Sequence, residues 1–248
     1  MIYINEDCLA INPRNIEKQC HTNMKNKRKK KKQKQKTKNK KMEKVVFILA
    51  LTLASLSMLA QGNYEQGMQN AFQLWEEGKN HEASALFERI AAAEKDNWLP
   101  NYYLALVNTT TAFQIKDSKQ VSALLSNAQR ALDIEMDKDA FNVELMVLQA
   151  MIHTAWIAHD PMNNGQKLSG TVMQIYGQAE GIAPNNPRVI LSKAEFEMGS
   201  AQFFGTEIAP ICVQIEKALQ LFDTFKPQTP FHPNWGKERA ITLLNNCK

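Results

Sequence analysis

From Gln61 onward the chain repeats its apolar residues with the period of a helix. Ala83, Leu86, Phe87, Ile90 and Ala91 are spaced i, i+3, i+4, i+7 and i+8, which puts them on one face. Val121, Leu124, Leu125, Ala128 and Leu132 repeat the pattern, as do Ile211, Ile215, Ala218, Leu219 and Phe222. No run alternates with period two. Short breaks separate the periodic stretches: EGKN, DNWLP, MDKD, NNGQ and APNNP. In APNNPRVIL, Asn186 is a predicted N-cap and Pro187 a predicted first helical residue, while Pro184 closes the helix before it. The pattern predicts an all-α chain.

Residues also recur at a longer interval. Ala71 and Ala105 are 34 apart, as are Gly78 and Ala112, and Phe87 and Val121. The stretch AFQLWEEGKNHEASALFERIAAAEKDNWLPNYYLALV resembles a tetratricopeptide repeat running into the next. Ala71 and Ala83 stand at the small sites where paired helices cross closely, Gly78 at the turn, and Phe87 at the large site. IYGQAEGIAPNNPRVILSKAEF resembles the junction of two later repeats, and FHPNWGKERAITLLNNC a capping helix. The sequence departs from that family at Ile90, where Ala is usual, and at Lys95, where Pro is usual. Later repeats stretch to 45 residues (Ala105 to Ala150) and 44 (Ala150 to Ala194).

The resemblance implies a TPR-like α-α superhelix, a helical-hairpin solenoid of about four irregular repeats with a C-terminal capping helix. One hairpin alone cannot bury its apolar side, so neighbours stack and leave a groove. In that family the first helix of each pair lines the groove. Carried onto this chain, the wall residues are Met68, Phe72, Trp75, Tyr102 and Leu106. Such a wall suits an extended peptide or a partner helix. The other large aromatics, Trp98, Tyr103, Trp156, Phe203, Phe204 and Trp235, are expected mostly in the core.

The N-terminal region reads differently. Lys25–Lys41 holds only Lys, Arg, Asn, Gln and Thr, and Val45–Ala60 then carries no charge. From Met42, the sequence MEKVVFILALTLASLSMLAQ has the positive start, apolar middle and small residues of a secretory signal. Sixteen uncharged residues are short for a membrane span of about 20. We therefore read 1–41 as a basic upstream segment, disordered or translated from ahead of the true start at Met42, 42–60 as a signal peptide, and 61–248 as the working domain, exported to the periplasm or the exterior. Residues 1–60 contain 15 of the 30 basic residues and 4 of the 25 acidic ones. That leaves 15 basic and 21 acidic in 61–248, a net charge of −6 against +5 for the whole chain. A mildly acidic domain disfavours nucleic acid as a partner. The alternative is binding through Lys25–Lys41, which lacks interleaved aromatics for base stacking. No later stretch is apolar enough to span a bilayer.

Cys212 and Cys247 are the cysteines of the working domain. An exported pair can be bridged, and the alternative is two buried thiols. Residues for chemistry are sparse. His153 and His159 are six apart, whereas a zinc pair on one helix face wants i, i+4. His153 is expected to pack near Trp156. Asp133, Glu135, Asp137 and Asp139 alternate without the Gly and distant Glu of a calcium loop. No G-x-S-x-G elbow or phosphate-binding glycine loop occurs. The sequence thus predicts no cofactor, no metal and no catalytic residue. It predicts a non-enzymatic scaffold or adaptor of the bacterial envelope that binds a protein or peptide. The competing class is an enzyme of unrecognised type, with His153, His159 or Glu195 as its polar groups.

Overall fold

The computed structural model describes residues 24–31 and 62–247. Residues 24–31 form an exposed helix within the Met1–Gly62 unit. Lys and Arg are good helix formers, so a basic run need not be irregular. The remainder of Lys25–Lys41 and the signal segment 42–60 lie outside the described residues. Asn63–Lys248 is the second compact unit. Its helices are α1 (62–76), α2 (Asn80–Ala93), α3 (Leu99–Ala112), α4 (Ser118–Met136), α5 (Val143–His159), α6 (Pro161–Ile182), α7 (Pro187–Phe204), α8 (Ala209–Thr224) and α9 (Lys237–Asn245). No strand occurs among the described residues.

From α2 onward each helix packs on its neighbour in sequence, and α5 also touches both α3 and α7. That second set of contacts marks an inner row built from alternate helices, as in a helical-repeat superhelix. Ala71, Ala105, Ala150 and Ala194 fall one to each of α1, α3, α5 and α7, and all four are fully buried. A methyl side chain lets the backbones of adjacent helices approach. The outer partners supply the matching residues Ala83, Phe87, Val121 and Ala218, also fully buried. Helix α3 lies between neighbours on several sides and buries nearly every position from Leu99 to Thr109. Its apolar residues therefore surround it rather than form a stripe.

Local chemistry sets the helix ends. Asn186 accepts hydrogen bonds from the backbone of Arg188 (2.9 Å) and Val189 (3.3 Å), with Pro187 at the first turn of α7. Asp117 caps α4 through Gln120 N, and Asn142 caps α5 through Glu144 N. Gly78, in the α1–α2 turn, has φ +76°, a conformation that glycine adopts without cost. One sequence expectation is corrected. NNGQ, read as a break, lies inside α6. The break falls earlier, at Asp160, whose carboxylate accepts from Asn163 N at 3.1 Å while Pro161 opens the helix.

The inner row contains a buried ion pair. Arg188 of α7 is 0 % exposed and Glu144 of α5 is 2 % exposed. Arg188 donates from Nε to Oε2 at 2.6 Å and from Nη2 to Oε1 at 2.7 Å. Asn186 Nδ2 adds a third bond to the same carboxylate at 2.8 Å. Removing one partner strands the other without water. Glu144→Ala is therefore expected to destabilise the fold by about 3–5 kcal/mol. The double change Glu144→Leu/Arg188→Met is expected to cost much less. Urea unfolding of the three proteins checks this, and equal losses would show that the charge itself is not the issue.

Candidate functional site

The polar residues singled out for chemistry are separately engaged. His153, on α5, is half-buried, and its ring meets Gln149 at 3.1 Å. Burial holds its pKa below the usual histidine range. His159 ends α5 beside the Ser118 hydroxyl at 3.2 Å. Glu195, on α7, accepts from both Nε (2.7 Å) and Nη2 of Arg239. Glu135 is not part of a calcium loop. It is buried and accepts from Asn101 Nδ2 at 2.6 Å and from Lys138 Nζ. Among the described residues no three His, Cys, Asp or Glu side chains gather as a metal site.

The five expected wall residues do cluster, but they do not face a free groove. Met68, Tyr102 and Leu106 are buried, and Phe72 and Trp75 are half-buried against the same core. The cause is the connection between α8 and α9, residues 225–236, which returns to α1 and α3. Phe231 stacks on Phe72 with centroids 6.0 Å apart and meets Tyr64 edge-on at 5.6 Å. Trp235 Nε1 donates to Tyr102 Oη at 2.7 Å, and Tyr103 Oη donates to the Phe231 carbonyl at 2.9 Å. Burial raises the pKa of both tyrosines, so both hydroxyls stay protonated.

Cys212 of α8 and Cys247, just past α9, are joined by a disulfide with Cα atoms 6.0 Å apart. The bridge closes a ring of 35 residues' separation that contains 225–236. Cys247→Ser is expected to lower stability by about 2–4 kcal/mol. Thermal unfolding of that variant checks this against the wild type with and without reductant. Reduced wild type should match the variant.

The open site lies elsewhere. A groove of about 1060 Å³ runs between the end of α5, the first half of α6, the second half of α7 and the start of α8. Its lining is mainly apolar or small, including Ile157, Met162, Met173, Phe196, Phe203 and Phe204. Gly165, Gly170 and Gly199 lie along it, and a Cβ added at any of them would meet nothing within 4 Å. Glycine inside a helix costs roughly 0.5–1 kcal/mol relative to alanine. Open space lies beside the backbone at all three. Phe203 and Phe204, expected in the core, are 66 % and 75 % exposed, and Met162 is 84 % exposed. The two phenylalanine rings pack edge-to-face at 5.1 Å. Of charged residues only Glu195 and Glu197 line the groove. Sequence reasoning missed this site because exposed and buried apolar residues carry the same letters. The available signal was three glycines within helices beside a Phe-Phe pair.

Fold and site together define a stack of helical hairpins that carries an open apolar groove and a separate aromatic face closed by its own chain. No known protein-family profile matches the sequence, and no curated protein matches it. Among solved structures it is similar to the HusA haemophore from Porphyromonas gingivalis, with a TM-score of 0.66 at 22 % identity. The likeness covers 75 % of this chain and 92 % of that one. At that identity it shows a shared fold.

Proposed function

We propose that this chain is an exported bacterial binding protein, built on tetratricopeptide-like hairpins, that captures a flat, largely apolar ring compound in the α5–α7 groove without transforming it. The observation that carries this reading is the groove itself: apolar walls, with three glycines that border open space. A tetrapyrrole is the first candidate cargo, because a protein of similar fold is named a haemophore. The groove has carboxylates but no cationic side chain in its lining, so acidic substituents on such a ring would point to solvent. Export is supported by the signal-like segment 42–60 and by the Cys212–Cys247 bridge, which suits an oxidising compartment. No helix among the described residues is long and apolar enough to cross a membrane.

A second reading, docking of a protein or peptide, is favoured by the exposed Phe203–Phe204 pair at the rim of the groove. Titration with iron(III) protoporphyrin and with metal-free protoporphyrin tests the first reading. Saturable binding is expected, followed by the absorbance of the ring. Gly199→Leu should weaken it at least tenfold, about 1.4 kcal/mol, without loss of helix content, because open space surrounds that position. Absence of saturable binding, or equal binding by Gly199→Leu, would sink the ring-capture reading. Capture of a polypeptide lost on Phe203→Ser/Phe204→Ser would favour the second.

A further inference from the structure

The segment 225–236, FKPQTPFHPNWG, sits on the inner aromatic face as a bound peptide does. It has no helix, and residues 226–230 are exposed. Its contacts with helices α1, α3 and α7 run through side chains, apart from Gly236, whose backbone lies close against Leu191 of α7. Phe225 lies under the guanidinium of Arg188, with the ring centre 4.4 Å from Cζ. Phe231 inserts between Tyr64 and Phe72, His232 meets Trp98 edge-on at 6.0 Å, and Trp235 bonds Tyr102. Phe231, His232 and Trp235 are each only half-buried. Among the described residues, the one backbone group of the segment bonded from α1, α3 or α7 is the Phe231 carbonyl, which Tyr103 reaches. The other backbone bonds are local: His232 N to Thr229 O closes a turn, and Phe225 and Ala240 continue the flanking helices.

We infer that this aromatic face is a peptide-binding site, held shut by residues 225–236 as a resident surrogate. Its partner is an extended peptide bearing proline between two aromatic anchors, the chemistry of Phe231-His232-Pro233-Asn234-Trp235. Aromatic-lined faces favour such peptides because proline reduces the disorder lost on binding. The surrogate can lift without unfolding its neighbours. Helices α8 and α9 pack on one another and are joined by the disulfide, so both ends of the strap stay in place. Gly236, at φ +115°, makes the sharp exit into α9. A tethered surrogate competes at an effective concentration in the millimolar range, so a partner gains access only when the strap is displaced. This site is separate from the α5–α7 groove, and the two proposals stand or fall apart.

The test uses a fluorescein-labelled synthetic peptide of residues 225–236. Its anisotropy is followed with the full wild-type chain and with Phe231→Ala/Trp235→Ala. Saturable binding to the variant at least tenfold tighter than to wild type is expected. A peptide with alanine at both aromatic positions should not bind. The inference is overturned if the variant keeps its helix content and does not bind, or if wild type binds equally well. It is also overturned if the alanine peptide binds as tightly as the original. Should the double variant lose its helix content, Trp235→Phe keeps the ring and removes only the bond to Tyr102. Peptide binding by that protein above wild type supports the inference, and none overturns it.

Discussion

A single carboxylate ties α5 to α7 in the inner row. Glu144 receives two bonds from Arg188 and one from Asn186, and all three residues lie at helix starts. Asn186 also caps α7, so the cap and the contact between hairpins share one group. The other face of the guanidinium carries Phe225, the first residue of the returning segment. Taking both charges out of water is expensive, and apolar replacements of similar volume are often as stable. What the pair supplies is direction. A greasy contact tolerates sliding of α7 along α5, whereas a two-pronged charged contact fixes one register. The seat of Phe225 depends on that register.

The molecule therefore handles its two apolar surfaces in opposite ways. Toward the N-terminal hairpins the aromatic face is covered by the chain's own Phe231 and Trp235. Between α5, α6 and α7 the surface stays open, and three glycines border the open space. Contiguous exposed apolar surfaces of this kind are common where proteins bind something. The contrast argues that the open groove is not a packing defect. The same chain contains spare aromatics and uses them to close a neighbouring surface.

Much of the scaffold was legible. Asn186 and Pro187 start α7 where capping chemistry placed them, because a cap depends on two or three adjacent residues. The alanines of the inner helices were visible as a spacing, since each must meet the same close crossing. Three things were not legible. NNGQ reads as a break by composition, yet Asp160 and Pro161 start α6 just before it and the helix runs on through it. Arginine is rarely fully buried unless paired, and the partner that makes burial of Arg188 tolerable is 44 positions away. Tyr102 was expected on an open wall, but Trp235, 133 positions away and outside any periodic pattern, lies against it. Periodicity reports which side of a helix is apolar. It does not report what lies against it.

The bridge between Cys212 and Cys247 spans the whole exposed stretch 226–230. A protease that nicks that stretch leaves two fragments still covalently joined through sulfur, with α9 kept beside α8. Cleavage there would free the strap ends without shedding the C-terminal helix.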